Sequence, residues 1–146
     1  MNSILVIGQA PAKSSVTRIP WNGGNSSKRL WKWFRVNSQE ELAELVDTIH
    51  AIPYYMGRNG KGDIVPVKKE TIFGLRDYVI KRIIQGKYEK VIMVGKFSQN
   101  LIGKYLRYLP WKIEKLSIPH PSGINISING KDVEIKRKVT EFLKEN

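Results

Sequence analysis

The chain has 146 residues, the usual length of one domain, and its 41% hydrophobic and 10% aromatic content excludes disorder over most of that length. It carries 25 Lys and Arg against 13 Asp and Glu, and the resulting net charge of +12 predicts a polyanionic partner. The absence of cysteine excludes disulfides, a thiolate nucleophile and cysteine-ligated zinc or iron–sulfur groups, and two histidines argue against a histidine-rich metal site.

The sequence predicts neither a membrane-spanning helix nor a signal peptide. No apolar run approaches the roughly 20 residues that a membrane-spanning helix needs. The apolar start, residues 4–7, is too short for a signal-peptide core and has no basic residues before it. We therefore expect a soluble intracellular protein without a membrane partner, cytoplasmic or, in a bacterium, associated with the nucleoid.

Short β-branched apolar runs alternate with amphipathic segments along the chain. In chain order they predict a strand at 4–7, helices at 26–34 and 39–46, a strand at 48–52, a helix at 70–85, a strand at 91–94, a helix at 97–109, a strand at 113–118 and a helix at 132–144. Ser38 and Glu41 form a capping-box pattern before the second helix, and Gly86 is the expected end of the third.

This alternation predicts one domain of the α/β class over residues 1–146. Strands that alternate with helices form a parallel sheet covered by helices on both faces, here a three-layer α/β/α fold with a central four-stranded sheet. In such sheets ligands bind outside the carboxyl ends of the strands. The loops at this edge follow Gly8, Pro53, Gly95 and Pro119, and three of the four carry unusual polar residues.

Two of these loops carry candidate functional residues. Gly8 directly after a buried strand allows the backbone to approach a ligand closely, although a tight strand-to-loop turn is the simpler explanation for this glycine alone. His120 stands between Pro119 and Pro121 with Gly123 nearby, so its backbone is restricted at the end of a strand. A hydrogen-bonded structural histidine is the simpler alternative for His120.

Together these segments resemble the uracil-DNA glycosylase superfamily. GQAPA at residues 8–12 is similar to the family's first motif (GQDP, GINP or GEAP), and HPSGIN at residues 120–125 is similar to its second (HPSP, HPSG or NPSG). PWNG at residues 20–23, followed by Ser26 and Leu30, looks like the family's P-F-x-G-x-S-G-x-L segment. The resemblance touches nearly the whole chain in the right order and implies a uracil-DNA glycosylase-like fold.

The resemblance also implies roles for individual residues. His120 would stabilise negative charge on the base oxygen as the N-glycosidic bond breaks. Trp21 would stack on a base flipped out of the DNA, with a purely structural place in the core as the alternative. Ile124 would fill the gap left in the stack. The implied base-binding set is Gly8, Gln9, Ala10, Trp21 and His50. The implied DNA-binding set is Ser122, Gly123, Ile124 and Asn125.

The chain departs from the family pattern at two positions. Ala10 stands where active members carry Asp or Asn to position water, although members with GEAP-type motifs also carry alanine there. His50 stands where the family often has an asparagine that reads uracil, so it could read another base or be structural. The residues that could replace the missing water-positioning group are Asp47, Asp63, Asn22 and Asn25.

Three functions are compatible with these observations. The first is a DNA glycosylase that flips uracil or another altered base out of single- or double-stranded DNA and hydrolyses its N-glycosidic bond, as a monomer with no metal or organic cofactor. The second is a catalytically inactive relative that binds DNA, favoured by Ala10 and His50. The third is a small α/β enzyme acting on a free nucleotide or nucleoside, which does not require a net charge of +12.

Overall fold

Four parallel strands form the centre of the molecule in the computed structural model, which describes residues 2–11, 19–54, 68–122 and 130–144. The strands are β1 (Ile4–Gly8), β2 (Asp47–His50), β3 (Lys90–Val94) and β4 (Glu114–Ile118). Their spatial order is β2-β1-β3-β4. The chain therefore adds β2 on one side of β1 and then returns to add β3 on the other, which makes the boundary between β1 and β3 the topological switch point of the sheet.

Helices cover both faces of this sheet. Within the described residues they are α1 (Gly24–Trp33), α2 (Gln39–Leu45), α3 (Lys69–Gly86), α4 (Gly95–Ile102), a 3₁₀ helix (Gly103–Tyr108) and α5 (Lys131–Leu143). The expected three-layer α/β class with a four-stranded parallel sheet is thereby confirmed. None of the described helices is long and apolar enough to cross a membrane.

The two central strands are buried along their whole length because each face packs against helices. Successive side chains of β1 point to opposite faces. Val6 joins a core with Leu30 and Trp33 of α1 and with residues of α5, whereas Ile7 joins a second core with α3 and α4. The continuous apolar runs ILVI and VIM are thus explained by burial on both sides of the sheet.

Local sequence signals account for several helix ends. The side chain of Ser38 accepts a hydrogen bond from the backbone N–H of Glu41 at 3.2 Å, which confirms the predicted cap of α2. The single helix predicted at 97–109 is instead an α-helix followed by a 3₁₀ helix. The change occurs at Gly103, a residue type of low helix propensity.

The end of α3 differs from the prediction made for Gly86. The helix runs through Gly86, and Lys87 takes the left-handed conformation, with φ of 51°. Gly86 is required for a different reason, since a Cβ there would lie 2.2 Å from the ring of Tyr88. The glycine therefore makes room for a fully buried tyrosine.

Candidate active site

The residues singled out in the sequence meet at the carboxyl edge of the sheet. Gly8 ends β1 and Gly95 follows β3, so these two glycines flank the topological switch point. His50 ends β2 beside Gly8 in the strand register, and His120 follows β4. This edge is where open α/β sheets bind their ligands.

Trp21 packs directly against the end of β1. A Cβ added at Gly8 would lie only 2.9 Å from Cζ2 of the Trp21 ring, so glycine is needed for this close approach. The chain reaches the position through a left-handed backbone at Trp21, with φ of 60°, and the Trp21 carbonyl accepts a hydrogen bond from the indole N–H of Trp31 at 3.0 Å. Trp21 is only 8% exposed and belongs to the core on the α1 side as well as to the site.

His120 lies on the other side of the switch point. A Cβ added at Gly95 would lie 3.5 Å from the Cβ of His120. Gly95 has a φ of 85°, a backbone conformation that favours glycine. The imidazole ring is tilted by 47° against the Trp21 ring, with centroids 5.8 Å apart. His120 and Trp21 therefore form adjoining walls above the ends of β1 and β3.

A hydrogen bond fixes the tautomer of His120. The backbone N–H of Ser122 donates to Nδ1 of His120 at 3.2 Å, and the Ser122 hydroxyl lies 2.7 Å from the same nitrogen. Because a backbone N–H can only donate, Nδ1 is the acceptor and the neutral ring carries its proton on Nε2. The sequence His-Pro-Ser thus orients the histidine as a hydrogen-bond donor through Nε2.

His50 is held neutral at the end of β2. Burial disfavours the charged imidazolium and lowers the pKa of His50 from 6.5 to about 4. Its Nδ1 lies 3.5 Å from the position that a Cβ at Gly8 would take. Within the described part of the chain, His50 Nδ1 and Trp21 Nε1 are buried without a hydrogen-bond partner. Two polar ring atoms beside the same glycine thus lack the partner that buried groups usually have.

Backbone hydrogen bonds clamp the first loop in place. The Gly8 carbonyl accepts from the backbone N–H of Ala51 at 2.9 Å and from the buried hydroxyl of Ser98 at 3.1 Å. The Gln9 carbonyl accepts from the N–H of Ile52 at 2.8 Å. Ser98 was not predicted as a site residue. Its only link to this edge in the sequence is its position three residues after Gly95, at the start of α4. Its bond ties α4 to the end of β1.

A group of contacts centred on Arg29 holds the loop that carries His120. Arg29 of α1 donates to the Pro121 carbonyl at 2.8 Å, and its Nε lies 3.8 Å from a carboxylate oxygen of Asp132 on α5. The same oxygen accepts from the indole N–H of Trp33 at 2.7 Å. Two helices on one face of the sheet therefore position the backbone next to His120.

The structure brings most of the expected site residues together. Trp21 and His50 both lie against Gly8, His120 lies against Trp21, and Ser122 bonds to His120. Gln9 and Ala10 follow Gly8, and Ala10 packs against the core on the α3 side. Gly123, Ile124 and Asn125 lie outside the described residues, as does Asp63.

Asp47 does not occupy the role considered for it. It begins β2, at the opposite edge of the sheet from His50. Its carboxylate accepts hydrogen bonds from the Tyr88 hydroxyl and from the side chain of Asn2. Both bonds hold Asp47 at the edge of the sheet where the strands begin. Since Gly8 lies at the edge where they end, Asp47 cannot position water above Gly8. No group of three or more His, Cys, Asp or Glu residues is placed to hold a metal within the described ranges.

A comparison with protein-family models agrees with this fold. The model of the uracil DNA glycosylase superfamily matches residues 2–144, nearly the whole chain. A comparison with curated proteins gives no match. The matched stretch contains every strand of the sheet and all the site residues described above. The chain therefore belongs to the uracil DNA glycosylase superfamily.

Proposed function

We propose that the protein is a DNA glycosylase that flips uracil or another altered base out of DNA and hydrolyses its N-glycosidic bond. Membership of the superfamily supports a DNA glycosylase-like function in general. The observation that carries the specific proposal is the oriented imidazole of His120 beside Trp21 at the switch point. We further propose that the matched stretch is one domain that acts on intracellular DNA as a monomer.

His120 would act on the leaving base. When water attacks C1′ of the sugar, the C1′–N bond breaks and its electron pair moves onto the base, where negative charge develops on a carbonyl oxygen. A neutral imidazole that carries its proton on Nε2 can donate a hydrogen bond to that oxygen. The bond from the Ser122 N–H to Nδ1 supports this role, because it fixes the proton on the other nitrogen.

Trp21 and His50 would shape the pocket that receives the base. The Trp21 ring packs over Gly8 and could present one face to the flipped base. His50 is neutral and offers one donor and one acceptor on opposite sides of its ring. Gly8, Gln9 and Ala10 would supply the backbone groups of this pocket.

The loop after His120 would hold the DNA strand. We propose that Ser122 and Gly123 contact the phosphate beside the flipped nucleotide, since hydroxyl and backbone N–H groups are common phosphate donors. Ile124 would fill the space that the base leaves in the stack, and Asn125 would contact the neighbouring strand.

A second candidate is a relative that binds DNA without cleaving the bond. Ala10 supports it, because a methyl group packed against the core cannot position or deprotonate water. Asp47 does not compensate, since Tyr88 and Asn2 occupy its carboxylate. The two candidates share the DNA interface and differ only in chemistry.

A base-excision assay separates them. Excess protein is incubated with labelled oligonucleotides that carry uracil in a single strand, opposite guanine or opposite adenine, and abasic sites are cleaved with alkali. Hypoxanthine and 5-hydroxymethyluracil substrates run in parallel. We expect excision to fall by about 10²–10³ in His120→Ala, the usual loss on removing a donor to a developing oxyanion.

The matched control is Lys112→Ala, an exposed change before β4 at the opposite edge of the sheet, which should leave excision unchanged. Excision by the control but not by His120→Ala supports the glycosylase. If no substrate is cleaved while both variants still bind DNA, the protein is the inactive relative.

A further inference from the structure

A groove separate from the His120–Trp21 walls runs along the outer edge of the sheet. It has a volume of about 570 Å³ and lies between the edge strand β2 and one face of α3. We call it the edge groove. The residues that line it are Pro20, Thr48, Ile49, His50, Pro53, Tyr78, Lys81, Arg82 and Gln85.

The chemistry of this lining suits an anion attached to a flat or apolar group. The lining contains two cations, Lys81 and Arg82, and no carboxylate. Tyr78 also lines the groove and is 42% exposed, so it adds an accessible aromatic ring. Tyr78, Lys81, Arg82 and Gln85 follow the spacing of neighbours on one helical face, so their side chains project together.

One wall of the edge groove is fixed by hydrogen bonds. Arg82 donates to the hydroxyl of the fully buried Tyr88 at 3.2 Å. That hydroxyl in turn donates to Asp47 at the start of β2. Arg82 is therefore anchored through Tyr88, while Lys81 is exposed on the same face of α3.

His50 connects the edge groove with the candidate active site. It lines the groove, and its Nδ1 lies 3.5 Å from the position of a Cβ at Gly8, the residue on which Trp21 packs. The edge groove thus gives a DNA strand whose flipped base enters beside Gly8 a path past His50 towards Lys81 and Arg82.

We propose that the edge groove binds the phosphate and sugar of a DNA nucleotide that flanks the flipped one on the same strand. The proposal rests on the proposed function in taking as the ligand a DNA strand with one nucleotide flipped out. The net charge of +12 and the lining without a carboxylate favour a polyanion, and the groove volume falls in the range of nucleotide-sized sites. Stacking surfaces beside cations are typical of single-strand binding.

The test measures DNA binding rather than excision. Lys81→Met removes the charge of this side chain and Lys81→Glu reverses it. The matched controls are Lys112→Met and Lys112→Glu, since Lys112 is exposed before β4, the strand on the far side of the sheet from β2. Binding of a fluorescent 15-nucleotide single strand without uracil is followed by anisotropy across a salt series. We expect Lys81→Met to weaken binding about fivefold and to reduce the slope of log affinity against log salt by about 0.7, the loss of one phosphate contact.

A free nucleoside provides the internal comparison. Deoxyuridine has no flanking nucleotide and cannot reach the edge groove, so its binding should not change in the Lys81 variants, whereas binding of the 15-nucleotide strand should weaken. Thermal melting verifies that each variant is folded. If Lys81→Glu does not fold, Lys81→Met still tests the proposal.

The outcomes distinguish this proposal from the proposed function. If the Lys81 and Lys112 variants bind the long strand equally well, the edge groove does not contact DNA, whether or not the protein excises uracil. If the Lys81 variants bind selectively less well but no substrate is cleaved, the edge groove is supported and the glycosylase is overturned.

Discussion

At the scale of single residues, burial controls the charge of His50. Its pKa is lowered to about 4, so the ring is neutral at pH 7. The family pattern has asparagine at this place, and a neutral histidine conserves one donor and one acceptor while changing their geometry. The low pKa therefore supports a base-reading role without an added positive charge.

The same burial predicts a pH dependence of stability. In the unfolded chain His50 has its ordinary pKa of 6.5, so between pH 6.5 and about 4 the unfolded state binds a proton that the folded state does not. Stability contributed by the neutral ring is full above pH 6.5 and is lost as the pH falls through this window. At pH 5 the loss reaches at most about 2 kcal/mol, and solvent reduces it because His50 is only partly buried.

Urea unfolding at pH 7 and pH 5 measures this loss. The free energy of unfolding should fall more in the native protein than in His50→Gln, which cannot titrate. Comparing the two proteins cancels the contribution of the carboxylates. Equal falls in the two proteins would contradict the low pKa of His50.

At the scale of elements, α1 and α5 hold the loop that carries His120. Arg29 bonds the Pro121 carbonyl and lies beside Asp132. We expect Arg29→Met to lower the rate constant of the excision step about tenfold with little change in KM, because a small displacement of a catalytic group affects the transition state more than DNA binding. Arg29→Lys should restore part of the rate, since it keeps one donor.

Arg35→Met is the matched control for this prediction. Arg35 follows α1 and donates to Thr140 of α5 at 3.0 Å, so it also joins the two helices, but the bond lies away from Pro121. Single-turnover kinetics of all three variants measure the effect. If Arg35→Met and Arg29→Met lose the same activity, Arg29 acts through general stability rather than by positioning the loop.

The elements themselves were largely predictable from local sequence. The Ser38–Glu41 cap and the helix predicted at 70–85 follow from short-range patterns, and the structure confirms both. The 3₁₀ helix after α4 was not predicted, because the choice between bonding to the third or fourth residue depends on packing. The prediction that Gly86 ends α3 was also inexact, because the helix runs through Gly86 and Lys87 takes the left-handed conformation.

At the scale of the whole molecule, the sequence predicts which loops share an edge but not which side chains meet there. Strand alternation places Gly8, His50 and His120 at carboxyl ends. The packing of Trp21 on Gly8 and the bond from Ser98 to the Gly8 carbonyl join residues 13 and 90 positions apart. Such contacts depend on the strand order β2-β1-β3-β4, which no local pattern encodes.

The net charge of +12 leads to a prediction for the molecule as a whole. If at least three phosphates are neutralised on a single strand, log affinity falls with log salt with a slope of about −2, so a fourfold rise in NaCl weakens binding about 20-fold. Anisotropy titrations between 50 and 200 mM NaCl measure this slope, and a strand with uncharged methylphosphonate linkages should lose most of it. Salt-independent binding would contradict a DNA interface and favour an enzyme acting on a free nucleoside.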